Sequence, residues 1–255
     1  MIQKVFNRYE KKYMLTAEEY IEIRKRLEEY MIEDSYGIHT IRNIYYDTDT
    51  DELIRTSIEK PKYKEKFRVR CYGRPNEESE IFLEIKKKYK GLVNKRRAVL
   101  SVAEAKEYFE QGQHPAQNTQ IMREIDYFLQ HYDVKPKVYL AYDRVALFGK
   151  EDRNFRVTFD TNIRSRNYDF RLENDEDTTG VLDKNYYLME VKILDAMPLW
   201  FVHMLDEINI SSISFSKYGT VYKTNLSNGC YEYIGETKLP IKFNQYVDTR
   251  RICTC

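Results

Sequence analysis

Residues 60–70 read KPKYKEKFRVR, and every even position of this stretch is cationic: Lys60, Lys62, Lys64, Lys66, Arg68 and Arg70. Tyr63, Phe67 and Val69 stand at odd positions. Successive side chains of a β-strand point to opposite faces, so the pattern predicts a strand with one basic face and one apolar face. The arrangement recurs along the chain. In IFLEIKKKYKG (81–91), Glu84, Lys86 and Lys88 share a face while Ile81, Leu83 and Ile85 share the other. In NFRVTFDT (154–161), Arg156, Thr158 and Asp160 alternate with Phe155, Val157 and Phe159. The same reading applies to Arg8, Glu10 and Lys12, to Tyr142 and Arg144, and to Glu190 and Lys192.

One basic strand face is compatible with an ordinary antiparallel sheet that meets water on one side. Six such faces are harder to reconcile with that arrangement. Same-face neighbours lie about 6.6–6.8 Å apart. At an effective dielectric of 20 this separation gives roughly 2.5 kcal/mol of repulsion per cation pair, against about 0.6 in bulk water. Cations enclosed at that spacing need an anion. A sheet closed into a barrel or tunnel, polar inside and apolar beneath external helices, satisfies both faces.

The 255-residue chain is long enough to bury a substantial core. Its 42 Lys plus Arg nearly balance 41 Asp plus Glu, for a formal net charge of +1, so a broad electrostatic footprint for nucleic acid is not expected. Acids such as Glu18, Glu19, Glu28 and Glu29 and the run Asp175, Glu176 and Asp177 fall on expected helices or loops, leaving the strand faces basic. The first residues, MIQKVFNRYEKKYML, contain no apolar signal region. The most apolar stretch, Met197 to Leu205, is far shorter than the ~20 residues of a membrane span. Cys71, Cys230, Cys253 and Cys255 lack zinc-site spacing, and a reduced cytoplasmic location suits them.

Helices are predicted where a capping signal precedes 3.6-type spacing. Thr16 with Glu19 and Ser101 with Glu104 form capping boxes. Further helices are expected at about 119–131 and 198–208. The four histidines stand apart, and no phosphate-cradling glycine loop or nucleophile elbow is present. Phosphate would therefore be held by side chains, with guanidinium forks and lysine point charges supplying the contacts. Glu190, a hard carboxylate on an otherwise basic strand, is the metal-ligand candidate for Mg2+ or Mn2+, with a structural salt bridge as its alternative.

The segments EKKYML, KFRVRCYG, FLEIKKK, NKRRAVLS, YDRVALFG, FRVTFDT, LMEVKIL and SFSKYG occur in this order between about Phe6 and Tyr222. Together they resemble the polyphosphate polymerase domain of vacuolar transporter chaperone complexes, within the CYTH-like triphosphate tunnel metalloenzymes. The resemblance implies phosphate-binding, catalytic roles for Lys12, Arg68, Arg70, Lys86, Arg144, Arg156 and Lys217. It adds a further cation from Lys95 or its neighbours Arg96 and Arg97, hydrogen bonds from Tyr142 and Ser216, and a metal on Glu190. Glu10 and Lys192 count among the substrate-binding positions. Arg8 stands where the wider CYTH pattern has its first carboxylate, and Leu188 occupies the same-face position before Glu190. Fewer carboxylates suggest fewer metals.

The resulting expectation is a single α+β domain over residues 1–255, with a core at about 6–222 and a C-terminal extension at 223–255. Its centre would be a closed antiparallel barrel with helices outside, and SFSKYG would end the last strand. The implied activity is transfer of the γ-phosphate of ATP, or another nucleoside triphosphate, to inorganic polyphosphate, with Mn2+ or Mg2+. Pyrophosphate is a further expected ligand; a separate membrane or regulatory subunit is an expected partner. The alternatives are a metal-dependent tripolyphosphatase or nucleoside triphosphatase of the same fold, a non-catalytic polyphosphate-binding module and an RNA-binding protein.

Overall fold

A computed structural model describes residues 5–117 and 119–227. Its strands are β1 (Val5–Leu15), β2 (Met31–Glu33), β3 (His39–Asp47), β4 (Tyr63–Tyr72), β5 (Glu80–Tyr89), β6 (Leu92–Ser101), β7 (Lys135–Gly149), β8 (Arg156–Arg166), β9 (Thr179–Gly180) and β10 (Tyr187–Ile193). Its helices are α1 (Ala17–Tyr30), α2 (Glu52–Ile58), α3 (Val102–Gln111), α4 (Gln120–Tyr132), α5 (Leu199–Glu207) and α6 (Lys217–Ser227). The strands form one large antiparallel sheet in the order β2-β7-β3-β4-β5-β6-β1-β10-β8-β9, and β7 also pairs with β8. The expected extension at 223–255, and with it Cys230, Cys253 and Cys255, lies outside the described residues from 228 onward.

The hairpin between β5 and β6 illustrates how local sequence sets register. Tyr89 pairs with Leu92, and Lys90 and Gly91 between them have φ of 46° and 92°. Two consecutive positive-φ residues match the twist of a tight hairpin. Lys86 is thereby placed opposite Lys95, and Glu84 opposite Arg97. The strand read from Lys60 begins later, at Tyr63, because Lys60 adopts φ of 56° in the preceding turn.

Alternation then sorts the two faces. Phe67, Val69 and Cys71 of β4, Ile81, Leu83 and Ile85 of β5, and Ala98 and Leu100 of β6 pack under α3 and α4. Ala105 and Phe109 of α3 and Ile121, Met122, Ile125 and Phe128 of α4 complete this core. A second core sets Ile23 and Leu27 of α1 and Phe201, Met204 and Leu205 of α5 against Tyr13, Val145, Val157, Phe159, Met189 and Val191. Full burial of each such aliphatic or aromatic side chain contributes about 1.5–3 kcal/mol. Both capping boxes form: Thr16 and Ser101 accept from the backbone N–H groups of Glu19 and Glu104, whose carboxylates accept in return. Thr119 caps α4; Pro198 stands at the N-cap of α5, just before its first turn.

The expected end of the last strand at SFSKYG is instead the start of α6. Ser216 Oγ accepts from Gly219 N at 3.1 Å, and its carbonyl from Thr220 N at 2.8 Å, so a serine cap opens a helix there. Gly219 suits the position because a Cβ would stand 3.2 Å from Ser216 Oγ. Asp47 ties this helix to α2. Its fully buried carboxylate accepts from Leu53 N at 2.8 Å, Ile54 N and Thr48 N at 2.9 Å, and the Tyr218 hydroxyl at 3.0 Å. Replacing Asp47 with alanine orphans several buried donors and is expected to cost about 3 kcal/mol. Urea unfolding measures this; a loss under about 1 kcal/mol would show that the donors find other partners.

Candidate functional site

Eight strands, β1, β3 to β8 and β10, send side chains into one cavity of about 1260 Å3. Glu10 and Lys12 enter from β1, Arg68 and Arg70 from β4, Lys86 from β5, and Lys95 from β6. Tyr142 and Arg144 enter from β7, Arg156 from β8, and Glu190 and Lys192 from β10, while Ser216 and Lys217 come from the start of α6. Every site residue expected from the sequence thus borders the same space. Strand alternation also resolves the choice around Lys95: Arg97 lines the cavity with it, whereas Arg96 turns away and meets Glu124 at 3.4 Å.

Behind the cations stand two acids that the sequence reading placed on polar faces without assigning them a role. Glu84 is fully buried. Its Oε2 accepts from Arg68 Nε and Nη2 at 2.8 and 2.7 Å, and its Oε1 from Lys95 Nζ at 3.0 Å and Arg97 Nε at 2.8 Å. Burial alone would raise its pKa, but Lys95, Arg68, Arg70 and Arg97 outweigh that and hold it well below the carboxylate range. Arg70 is 4.0 Å from Glu84 and is oriented by neutral groups, donating to Asn43 Oδ1 and to the Tyr142 hydroxyl, each at 2.8 Å. It is 5% exposed and borders the cavity, and its ion pair with Glu84 is longer than those of Arg68, Lys95 and Arg97.

Asp160, also fully buried, anchors the second group. Arg144 clamps it bidentately, at 2.5 Å from Nε and 2.7 Å from Nη2, and Lys217 Nζ donates to it at 2.5 Å. Glu190 lies beyond, 3.3 Å from Lys217 Nζ, 3.4 Å from Lys12 Nζ and 3.4 Å from Arg144 Nη2. Burial pushes the Glu190 pKa up, but Lys217, Lys12 and Arg144 prevail and lower it far. Glu10 behaves alike: burial is outweighed by Lys86, 2.6 Å away, and its pKa falls to about 2. Lys217 is raised despite burial, by Asp160 and Glu190.

Lys66 has a different environment. Its ammonium donates to Ser216 Oγ at 3.2 Å and sits 5.6 Å from the Tyr218 ring. Burial first, then Lys12, Lys64 and Lys86, push its pKa down to about 7, with Asp47 opposing. Arg156 contributes an unsatisfied group, since its buried Nε has no hydrogen-bond partner among the described residues. A cavity-lining array of this kind, with cations at the front and acids behind, is suited to an elongated polyanion with several phosphates.

The VTC domain pattern matches residues 7–225. The chain belongs to the VTC domain family. No curated protein matches its sequence. Among solved structures, the VTC domain is similar to a candidate adenylate cyclase from Bacillus halodurans, with a TM-score of 0.51 and 15% identity over 84% of this chain and 96% of that one. It is also similar to a candidate adenylyl cyclase from Hippeastrum described as having a dominant triphosphatase activity, with a TM-score of 0.50 and 14% identity over 85% and 96% of the two chains. At such identity the likeness concerns the fold alone.

Among the described residues of the VTC domain, no three His, Cys, Asp or Glu side chains form a ready metal cage. No described helix is long and apolar enough to cross a membrane. The residues that sequence reasoning left without a role, Glu84, Asp160 and Lys66, follow from the same period-2 count, whereas Arg97 was named only as an alternative to Lys95 and lines the cavity beside it. Their distinguishing signal was position on a polar face, and only packing shows which of them stand behind the cavity.

Proposed function

We propose that this VTC domain is a polyphosphate polymerase whose sheet closes into a tunnel. Pairing leads from β7 through β3, β4, β5, β6, β1, β10 and β8, and the β7–β8 pairing supports closure of that path. In the reaction, a terminal phosphate oxygen of the chain attacks the γ-phosphorus of ATP, the bond to the β-γ bridging oxygen breaks, and ADP leaves. Arg68, Arg70, Arg144 and Arg156 neutralise charge on the transferred phosphoryl; Lys12, Lys86 and Lys217 position donor and product. Lys95, Tyr142 and Ser216 add contacts, Glu10 holds Lys86, and Lys192 donates to Thr158 at 3.3 Å.

The observation that carries this reading is that the carboxylates lining the cavity among its cations are ion-paired, Glu10 with Lys86 at 2.6 Å and Glu190 with Lys12, Arg144 and Lys217 at 3.3–3.4 Å, which lowers the pKa of both. Such carboxylates are poor general bases for activating water. A terminal phosphate is already anionic and needs no base. Glu190 fits one divalent cation: its oxygens border the cavity, and its ion pairs at 3.3–3.4 Å are longer than tight charge-assisted bonds of about 2.7–2.9 Å. Bound there, Mg2+ or Mn2+ would take its other ligands from phosphate and water and neutralise phosphate charge.

Incubation with ATP and Mn2+ tests the reading. Long-chain polyphosphate on a gel, with matching ADP, is expected; orthophosphate without polymer would instead identify a triphosphatase, and binding without turnover a storage or sensing module.

Lys66 gives the binding step a pH signature. A polyanion favours the charged ammonium, so binding tripolyphosphate raises a pKa that starts at about 7. Between the free and bound values the complex takes up a proton, and affinity falls as pH rises above 7. Calorimetry in two buffers of different ionisation enthalpy is expected to show uptake at about pH 8.5 that Lys66→Met removes. Equal uptake in both proteins would assign the proton elsewhere.

A further inference from the structure

The two ends of the cavity differ in chemistry. On β4, the same-face position one step beyond Arg68 in one direction is Lys66, followed by Lys64; in the other direction it is Arg70, followed by Tyr72. Each step covers about 6.6–6.8 Å. Lys60, Lys88 and Lys223 line the lysine end together with Lys64. At the other end stand Tyr36, His39, Tyr72 and Phe82, all lining the cavity. His39 is paired opposite Arg144 and Phe82 opposite Arg70, so these two rings stand level with the arginines, and Tyr72 lies one same-face step beyond Arg70.

These rings do not consume one another by stacking. Tyr36 and His39 meet at 6.1 Å and 68°, His39 and Tyr72 at 6.0 Å and 55°, and Tyr72 and Phe82 at 5.4 Å and 74°. The Arg97 guanidinium covers a face of Phe82 at 4.4 Å, but Tyr36 is 79% exposed at a turn closed by Gly37 with φ of 56°, so its ring is open to a ligand. Asp34 and Glu80 line the same mouth, which makes it a poorer place for phosphate and compatible with an uncharged ligand end.

We infer that this aromatic mouth is a stacking site for the base of the nucleoside triphosphate whose phosphates occupy the adjoining cations. The inference rests on the triphosphate-binding reading above and extends it to the nucleoside. It orients the donor: the base rests on the Tyr36 ring at the mouth, the phosphates run inward, and the γ-phosphate reaches the arginine layer of Arg68, Arg70 and Arg144 on the side toward Lys66. Because every base presents a π-face, stacking of this kind tolerates adenine and guanine alike. The growing polymer then occupies the lysine end.

Tyr36→Ala is the test, since the Tyr36 ring is exposed and its removal leaves the strand cores intact. Binding of ATP and of tripolyphosphate is measured by calorimetry for wild type, Tyr36→Ala and Tyr36→Trp. Loss of one stacking partner is expected to weaken ATP about tenfold, with tryptophan restoring it, while tripolyphosphate changes by less than twofold in all three. Unchanged ATP affinity in Tyr36→Ala, alongside normal tripolyphosphate binding, would overturn the base site and leave the phosphate site standing. Equal weakening of both ligands would also overturn it, because the tyrosine would then serve the phosphates. A wild-type protein that binds neither ligand would remove the phosphate reading and the base site together.

Discussion

Arg70→Ala is expected to lower kcat/KM for ATP about a thousandfold, the scale of losing a positioned arginine or oxyanion donor at a phosphoryl centre. The size of the effect follows from how the charges are compensated. Arg68 and Arg97 rest on Glu84, and Arg144 rests on Asp160, so part of each charge is already answered by protein. Arg70 is instead oriented by the Asn43 amide oxygen and the Tyr142 hydroxyl, with Glu84 at 4.0 Å. A buried guanidinium held by neutral acceptors keeps more of its field for an incoming phosphate. Lysine at this position retains the charge but not the planar fork that contacts Asn43 and Tyr142 together, so Arg70→Lys should recover only a minor part of the rate. Steady-state kinetics with ATP measures both variants; a loss below tenfold for alanine would move the main electrostatic role to another arginine.

Glu84→Gln is expected to destabilise the protein by about 3–5 kcal/mol, because it removes the buried anion shared by Arg68, Lys95 and Arg97. The four cations pulling on Glu84, including Arg70, then repel one another across a low-dielectric space. An external polyanion replaces the lost charge. Tripolyphosphate should therefore raise the variant's urea midpoint more than it raises that of the wild type, even though both bind it. The acid limb of stability should change as well. A carboxylate whose folded pKa is depressed stabilises the protein above its unfolded value and is lost as pH falls through the folded one. Wild type should resist acid below the ordinary carboxylate range, and the glutamine variant should not gain that increment. A stability loss under 1 kcal/mol, with no extra benefit from tripolyphosphate, would show that Glu84 does not compensate these cations.

The interior face was legible from KPKYKEKFRVR because a strand allows only one alternation, and Arg68 and Arg70 could not face the cavity unless Phe67 and Val69 faced the helices. The helices α1 and α3 were legible from capping boxes, which encode their own start. The start of α6 was not. In SFSKYG a serine cap and a glycine at a close approach look like a strand ending in a turn, and the partners that hold the helix, Asp47 for Tyr218 and Asp160 for Lys217, lie outside the segment. The repulsion among strand cations was expected to require a bound anion, and part of that demand is met internally. Glu84 and Asp160 occupy the polar faces already counted from the sequence, but alternation cannot distinguish a carboxylate that lines a cavity from one that stands behind its cations.

Diffraction from crystals of the protein with tripolyphosphate and Mn2+ tests the central claim most directly, with manganese located by its anomalous scattering. Three phosphates are expected in a line past Arg70, Arg144 and Lys217, with the manganese peak between them and Glu190. Phosphates bound outside the sheet, or manganese away from Glu190 with the cavity cations untouched, would contradict it.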